Sequence, residues 1–255
     1  MPFSAGTLFV NYLSKLITLI PEIKAMKLNS YITHFPLRLL LLVILFVLSL
    51  SLFGVIIHEV LWEQEQAFDE AVFSFLKSHT NEQVISLMSA VTFFGSSRFL
   101  FSAYVILVVW YLIRKREVSA LDIATIGLAG YGVLYGLKMV FQRTRPLNPL
   151  VDPLHNFSFP SGHASSGFIF CGLLIYLIWK ESIANWLKYG LSVVLLLFSF
   201  LIGISRVYLR LHYASDVLAG FCLGFAWLTL SIMVLEHFKK KTPPTTLKEE
   251  KPVEQ

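Results

Sequence analysis

The chain has 255 residues, a formal net charge of +5 and a mean hydropathy of +0.68. Only 15% of its residues are charged and 56% are hydrophobic, whereas a soluble domain carries about 25% charged residues. That balance excludes an ordinary soluble domain. It also excludes a nucleic-acid binder, which needs a basic face on a soluble fold. Several apolar runs approach the ~20 residues that cross a bilayer as a helix, so the chain reads as an all-α integral membrane protein.

Residues 1–36 form an N-terminal cytoplasmic or interfacial segment. The run 8–20 is broken by Asn11, Ser14 and Lys15, with no convincing cleavage site after it. Two readings stay open: an interfacial amphipathic helix, or a true start at Met26 behind a basic leader. From residue 37 to 238 the apolar runs and their charged borders predict six spans. Span one covers about 39–57. A polar connection follows, 59–95, with two amphipathic helical stretches near 68–76 and 84–94. Span two covers about 99–113, span three 121–141, and span four 164–179. Between spans three and four lies a loop, 142–160, broken by Pro146, Pro149 and Pro153. Span five covers 187–204 and span six 217–235. The tail, 239–255, is charged, contains Pro243-Pro244, and reads as a disordered cytoplasmic segment.

Lysine and arginine set the orientation. With the N-terminus inside, the inner face collects most of the basic residues, Arg114, Lys115, Arg116, Lys180 and Lys188 among them. The outer connection is acidic, with Glu59, Glu63, Glu65, Asp69, Glu70 and Glu82. The positive-inside rule then places the stretches around 138–163 and 205–216 on the external face. The outer cations that remain, Lys138, Arg143, Arg145, Arg206 and Arg210 above all, need an anionic ligand to explain them.

Glycine and cysteine have plainer roles. Gly132 with Gly136, and Gly220 with Gly224, are small-xxx-small pairs suited to close helix packing. Cys171 and Cys222 lie in apolar runs without zinc or redox spacing and read as small buried side chains. His155 reads as an exposed loop histidine.

Three polar motifs lie at the outer edges of spans three to six. His212 and Asp216 are four residues apart, on one face of a helix. The carboxylate can accept one ring N–H and leave the other nitrogen as a lone pair ready to attack. Pro160-Ser161-Gly162-His163 starts a helix. Ser161 can cap it, the helix N-terminus suits an oxyanion, Gly162 permits close approach, and His163 can protonate a leaving group. Lys138 and Arg145-Pro146 supply charge, and Arg206 adds a second guanidinium fork. Arg143 and Arg210 lie beside the motifs and read either as contacts to a second phosphate or as headgroup anchors.

Taken in order, Lys138-x6-Arg145-Pro146, Pro160-Ser161-Gly162-His163 and Ser205-Arg206-x5-His212-x3-Asp216 resemble the type 2 phosphatidic acid phosphatase superfamily. That superfamily shares its site architecture with acid phosphatases and vanadium haloperoxidases. The resemblance covers about residues 138–216, and the six-span layout extends it to 39–235. It implies a six-transmembrane bundle with a haloperoxidase-like core and a phosphatase that hydrolyses a lipid phosphate or diphosphate without a metal or other cofactor. Undecaprenyl diphosphate, phosphatidylglycerol phosphate and phosphatidic acid are the substrates it suggests, with a mild preference for a diphosphate from Arg143 and Arg210. It implies His212 as nucleophile, Asp216 as its orienting partner and His163 as general acid. Lys138, Arg145, Arg206, Ser161 and the Gly162 backbone would bind the phosphoryl oxygens. Two alternatives are a lipid phosphotransferase using the same phosphohistidine and a non-catalytic lipid-binding membrane protein.

Overall fold

The computed structural model describes residues 37–64 and 66–241, and among them there are helices and no strands. The expectations for the N-terminal segment and for the end of the tail lie outside the described residues. The chain divides into two compact units at residue 44, inside the first helix, and the site lies in the second, residues 45–255. Helix α1 (Leu37–Ile57) runs into a π-helical turn, His58–Trp62. Then come α2 (Ala67–Lys77), α3 (Glu82–Phe93), α4 (Ser97–Ile113), α5 (Glu117–Phe141), α6 (Gly162–Ile178), α7 (Asn185–Tyr208) and α8 (Ala214–Lys241).

Local chemistry sets the boundaries. Asn81 caps α3 by accepting the Val84 N–H at 2.9 Å, and Ser96 caps α4 by accepting from Phe99 at 3.3 Å. Helix α5 stops at Gln142, whose left-handed φ of 48° turns its N–H onto the Lys138 carbonyl at 3.1 Å. Four prolines, Pro146, Pro149, Pro153 and Pro160, keep the next 19 positions out of helix, so α5 and α6 are joined by the long loop that the sequence predicts.

Among the described residues, four helices are long and apolar enough to cross a membrane: α1 with its π-turn, α5, α7 and α8. A fifth crossing is available if α3 and α4, bent by 41° at their junction, act as one. The six-span expectation is therefore met in part. Helices α4 and α6 stand where spans two and four are expected, but each has only 17 residues. The protein is a multi-pass, all-helical membrane protein.

Helix α6 lies at the centre, buried along Ala164, Phe168, Ile169, Leu173 and Leu177, with α5, α7 and α8 packed around it. In lipid, such packing gains from close contact rather than from escape from water. Gly220 and Gly224 provide that contact. A Cβ at Gly220 would lie 2.8 Å from the Ser161 carbonyl, and one at Gly224 would lie 3.0 Å from the Ser165 carbonyl. The other glycine pair behaves differently from expectation: a Cβ at Gly132 or Gly136 would meet nothing within 4 Å. The α5 glycines in tight contact are Gly127, against Tyr104 of α4, and Gly130, against Trp227 of α8. Both cysteines are free, Cys171 buried and Cys222 half-buried.

Candidate active site

The site lies at the end of the bundle that carries the α5–α6 loop, the α7–α8 turn and the short helices α2 and α3. The α4–α5 and α6–α7 turns, joined by an Arg116–Glu181 ion pair, lie at the other end.

His212 is fixed from both ring nitrogens. Its Nδ1 lies 3.3 Å from Asp216 Oδ2 and 3.3 Å from Ser158 Oγ. Its Nε2 lies 3.2 Å from Arg145 Nη1. A guanidinium has no acceptor, so Nε2 must present its lone pair and Nδ1 must carry the proton. This is the tautomer expected from the four-residue spacing. His212 is 1% exposed. Burial, reinforced by Arg145 and Arg206, outweighs the Asp216 carboxylate and holds the ring well below the ordinary histidine range. The neutral form assigned from the hydrogen bonds and the direction of the pKa agree.

Asp216 is fully buried and saturated. Ser158 Oγ donates to Oδ2 in a short contact, and the Tyr213 N–H donates to the same oxygen at 3.0 Å. On the other side Arg143 Nη1 donates to Oδ1 at 2.6 Å. Asp216 is the third residue of α8, and reaching back to the N–H just before the helix is one half of a capping box.

The cations divide by how much of each is already engaged. Lys138 Nζ donates to the carbonyls of Phe157 and Ser158, at 2.8 and 3.3 Å. Arg145 is held by Asn156, through its carbonyl at 2.7 Å and its side-chain amide, and by the Leu211 carbonyl. Burial draws the Arg145 guanidinium down to about 10, still charged at neutral pH. Arg206 is the least satisfied. It is 2% exposed, yet only Nη1 has a partner, Thr92 Oγ1 at 2.7 Å; Nε and Nη2 are buried without one. An unpaired buried guanidinium is costly, and an anion is the chemistry that satisfies it.

At the start of α6, Ser161 departs from expectation. It is the residue before the helix, but its hydroxyl makes no capping bond and is itself buried without a partner. The amides of Gly162, His163 and Ala164 likewise find no acceptor among the described residues. The hydroxyl and the helix N-terminus are thus both available to an oxyanion. A Cβ on Gly162 would lie 3.7 Å from Lys138 Cε, so the α6 start and the α5 lysine flank one space. His163 packs against Gly95, makes no hydrogen bond among the described residues, and lies within electrostatic reach of Arg206, His212, Arg145 and Lys138. The structure brings all three motifs together.

The two flanking arginines separate. Arg143 is not placed to meet a second phosphate. Its side chain is 11% exposed, and its two terminal nitrogens are bound to Asp69, Asp216 and Ser215, while its plane lies 4.0 Å from the Tyr213 ring. Two buried carboxylates attract it more strongly than a headgroup could. Arg210, half-buried in a left-handed conformation, has no ion pair among the described residues. His155 is exposed, as expected. Sequence reasoning missed Asp69, Thr92, Asn156 and Ser158. None belongs to a motif; Thr92, Asn156 and Ser158 each fold back from a connection onto a motif residue, and Asp69 reaches Asp216 only through Arg143.

The comparisons with known proteins come to the same place. A family model described as the PAP2 superfamily matches residues 118–240. The bacitracin transport permease protein BcrC of Bacillus licheniformis is 30% identical over 147 residues, which span 54% of this chain and 68% of that one. The chain belongs to the PAP2 superfamily. As a member it is a phosphatase. Phosphatidylglycerophosphatase B of Bacillus subtilis is 29% identical over 161 residues, 62% of this chain and 79% of that protein. The crystal structure of a transmembrane PAP2-type phosphatidylglycerolphosphate phosphatase from Bacillus subtilis superimposes with a TM-score of 0.71 at 27% identity, over 77% of this chain and 98% of that one. The PAP2 match begins in α5, so α2 and α3, which hold Asp69 and Thr92, lie outside it.

Proposed function

We propose that this PAP2 protein hydrolyses a lipid phosphate monoester at the outer leaflet of a bacterial cytoplasmic membrane through a phosphohistidine on His212. One observation carries the reading: His212 is buried and neutral, with its Nε2 lone pair turned toward Arg145 and its Nδ1 proton toward Asp216. In the first step Nε2 attacks phosphorus and the bond to the lipid oxygen breaks. His163 donates a proton to that oxygen, and Asp216 steadies the imidazolium that forms at His212. In the second step His163 takes a proton from water, the water oxygen attacks phosphorus, and the phosphorus–nitrogen bond breaks. Arg206, Arg145, Lys138, the Ser161 hydroxyl and the α6 N-terminus hold the equatorial oxygens, where fixed positive charge is worth most. The domain spans residues 37–238 as six crossings, with α4 and α6 as the two short ones.

The engagement of Arg143 favours a monoester over a diphosphate. With Arg143 bound to Asp69 and Asp216, the cations left around the site suit one phosphoryl group, and only Arg210 remains for a second. Phosphatidylglycerol phosphate, the substrate type named both for the similar Bacillus subtilis sequence and for the similar Bacillus subtilis structure, is the leading member of this class. Among the described residues no group of three His, Cys, Asp or Glu is placed to hold a metal ion, and cations of the protein itself serve the phosphate.

The test is phosphate release by the purified protein from a panel of lipid monophosphates and diphosphates, in excess chelator. Turnover of monophosphates is the expected result. Loss of all turnover that magnesium restores would overturn the metal-free mechanism, and a strong preference for diphosphates would overturn the substrate class. Sidedness is read by impermeant thiol labelling of single cysteines at His155 and Lys115 in intact cells. Labelling at 155 alone supports an external site, and labelling at 115 alone reverses it.

A further inference from the structure

The outer connection contributes a residue that the motifs do not contain. We infer that Asp69, on α2, is a positioning residue for the His212–Asp216 pair and acts through Arg143. The inference rests on the reading of His212 as the nucleophile.

Asp69 is 2% exposed on an otherwise amphipathic, largely solvent-facing helix. Both of its oxygens are used. Oδ2 accepts from Arg143 Nη2 at 2.8 Å and from Ser215 Oγ at 2.6 Å, and Oδ1 accepts the Ser215 N–H at 2.9 Å. The last bond has a clear local reason. Tyr213, the residue before α8, has no side-chain acceptor placed to cap the helix, and the first turn of a helix leaves N–H groups unsatisfied. Asp69 supplies the missing carboxylate from another element, at the helix end where negative charge is favoured.

The same carboxylate fixes Arg143. With one terminal nitrogen on Asp69, Arg143 gives only Nη1 to Asp216, and only to Oδ1. That leaves Oδ2 to Ser158, the Tyr213 N–H and the His212 Nδ1 proton. Without Asp69, Arg143 keeps only Ser215 and the Tyr213 ring beside Asp216, and its freed nitrogen can turn onto Asp216 in the fork geometry that guanidinium and carboxylate prefer. Oδ2 would then be shared with a full cation and would hold the histidine less firmly. Burying a cation between two carboxylates is a poor route to stability alone. Its effect here is to fix which oxygen faces His212.

The experiment uses the purified full-length protein and short-chain phosphatidic acid in mixed micelles. Asp69→Asn should lower kcat on the order of ten- to a hundredfold, the usual effect of removing an outer partner of a reacting group, with KM changed less than about twofold on the same argument. In an Arg143→Gln background the same substitution should cause no further loss, because the route through Arg143 is already cut. The ring 15N signals of His212, identified by their disappearance in His212→Gln, should move in Asp69→Asn. An unchanged kcat, losses that multiply across the two backgrounds, or unmoved ring signals would overturn the inference. If Asp69→Asn alone is not recovered as folded protein, the comparison of Arg143→Gln with Asp69→Asn/Arg143→Gln decides: equal kcat supports it and a slower double variant overturns it. Wild-type protein that releases no phosphate from any lipid phosphate would overturn the functional reading instead, and the ring signals would then decide the positioning by themselves.

Discussion

The motif-bearing half, α5 to α8, and the outer connection, α2 and α3, contribute to the site in different ways. The first supplies the groups proposed to face a phosphoryl, His212, His163, Arg206, Arg145, Lys138 and Ser161 among them. The second supplies groups that support those residues: Thr92 directly on Arg206 at 2.7 Å, and Asp69 on Arg143, which in turn binds Asp216. Tyr208 binds the connection in place, donating to the His79 carbonyl at 3.0 Å and accepting the Asn81 N–H at 3.3 Å. The chemistry is therefore concentrated in the spans, and part of its geometry is imposed from outside them.

Substitutions can break or sharpen that contrast. The largest effect belongs to the motif half: His212→Ala should reduce phosphate release on the order of 10⁵-fold, as removal of a nucleophile does, in protein that remains monodisperse on gel filtration. Near-normal rates in that variant would end the nucleophile assignment. Arg206→Gln comes next. It removes one fixed charge from a developing oxyanion, and a loss of about 10²–10³-fold in kcat is expected.

Thr92→Val tests the same arginine from the connection. It removes one hydrogen bond to a charged group, worth about 1.5 kcal/mol, so a loss of about tenfold in kcat/KM is expected. If Thr92→Val were as damaging as Arg206→Gln, the division between the two regions would fail.

Glycine substitutions separate the tight side of the bundle from the open one. Gly220→Ala must push α8 away from the Ser161 carbonyl and should cost about 1–3 kcal/mol in thermal unfolding. Gly132→Ala, facing open space, should gain about 0.5–1 kcal/mol from helix propensity. Equal effects would mean that α6 and α8 are not held by that contact.

The smallest effect is a pH dependence of stability. His212 is held neutral well below the ordinary imidazole range. Between that depressed native value and the ordinary one, ~6.5, the unfolded chain binds a proton that the native chain does not. Stability should therefore rise with pH across this window and level off above it. His212→Gln should flatten the slope, which unfolding midpoints measured from pH 4 to 8 would show.

Much of this was legible in the sequence because it depends on short-range chemistry. Apolar length dictates helices across a membrane, so α1, α5, α7 and α8 follow from composition. Proline and spacing dictate where α6 begins and that His212 and Asp216 share a helix face. Residue type dictates which groups can attack, protonate or hold an anion. The tertiary structure decided what depends on contact between distant segments. It made Arg143, which the sequence leaves open as a second-phosphate contact or a headgroup anchor, the partner of two buried carboxylates, and it left Ser161 free of the capping bond its position suggests. It brought Asp69 onto Ser215, 146 positions away, and it packed Gly220 while leaving Gly132 open. Spacing fixes what one helix presents on one face; which face meets which partner, and so which charges are already neutralised, is set only when the helices pack.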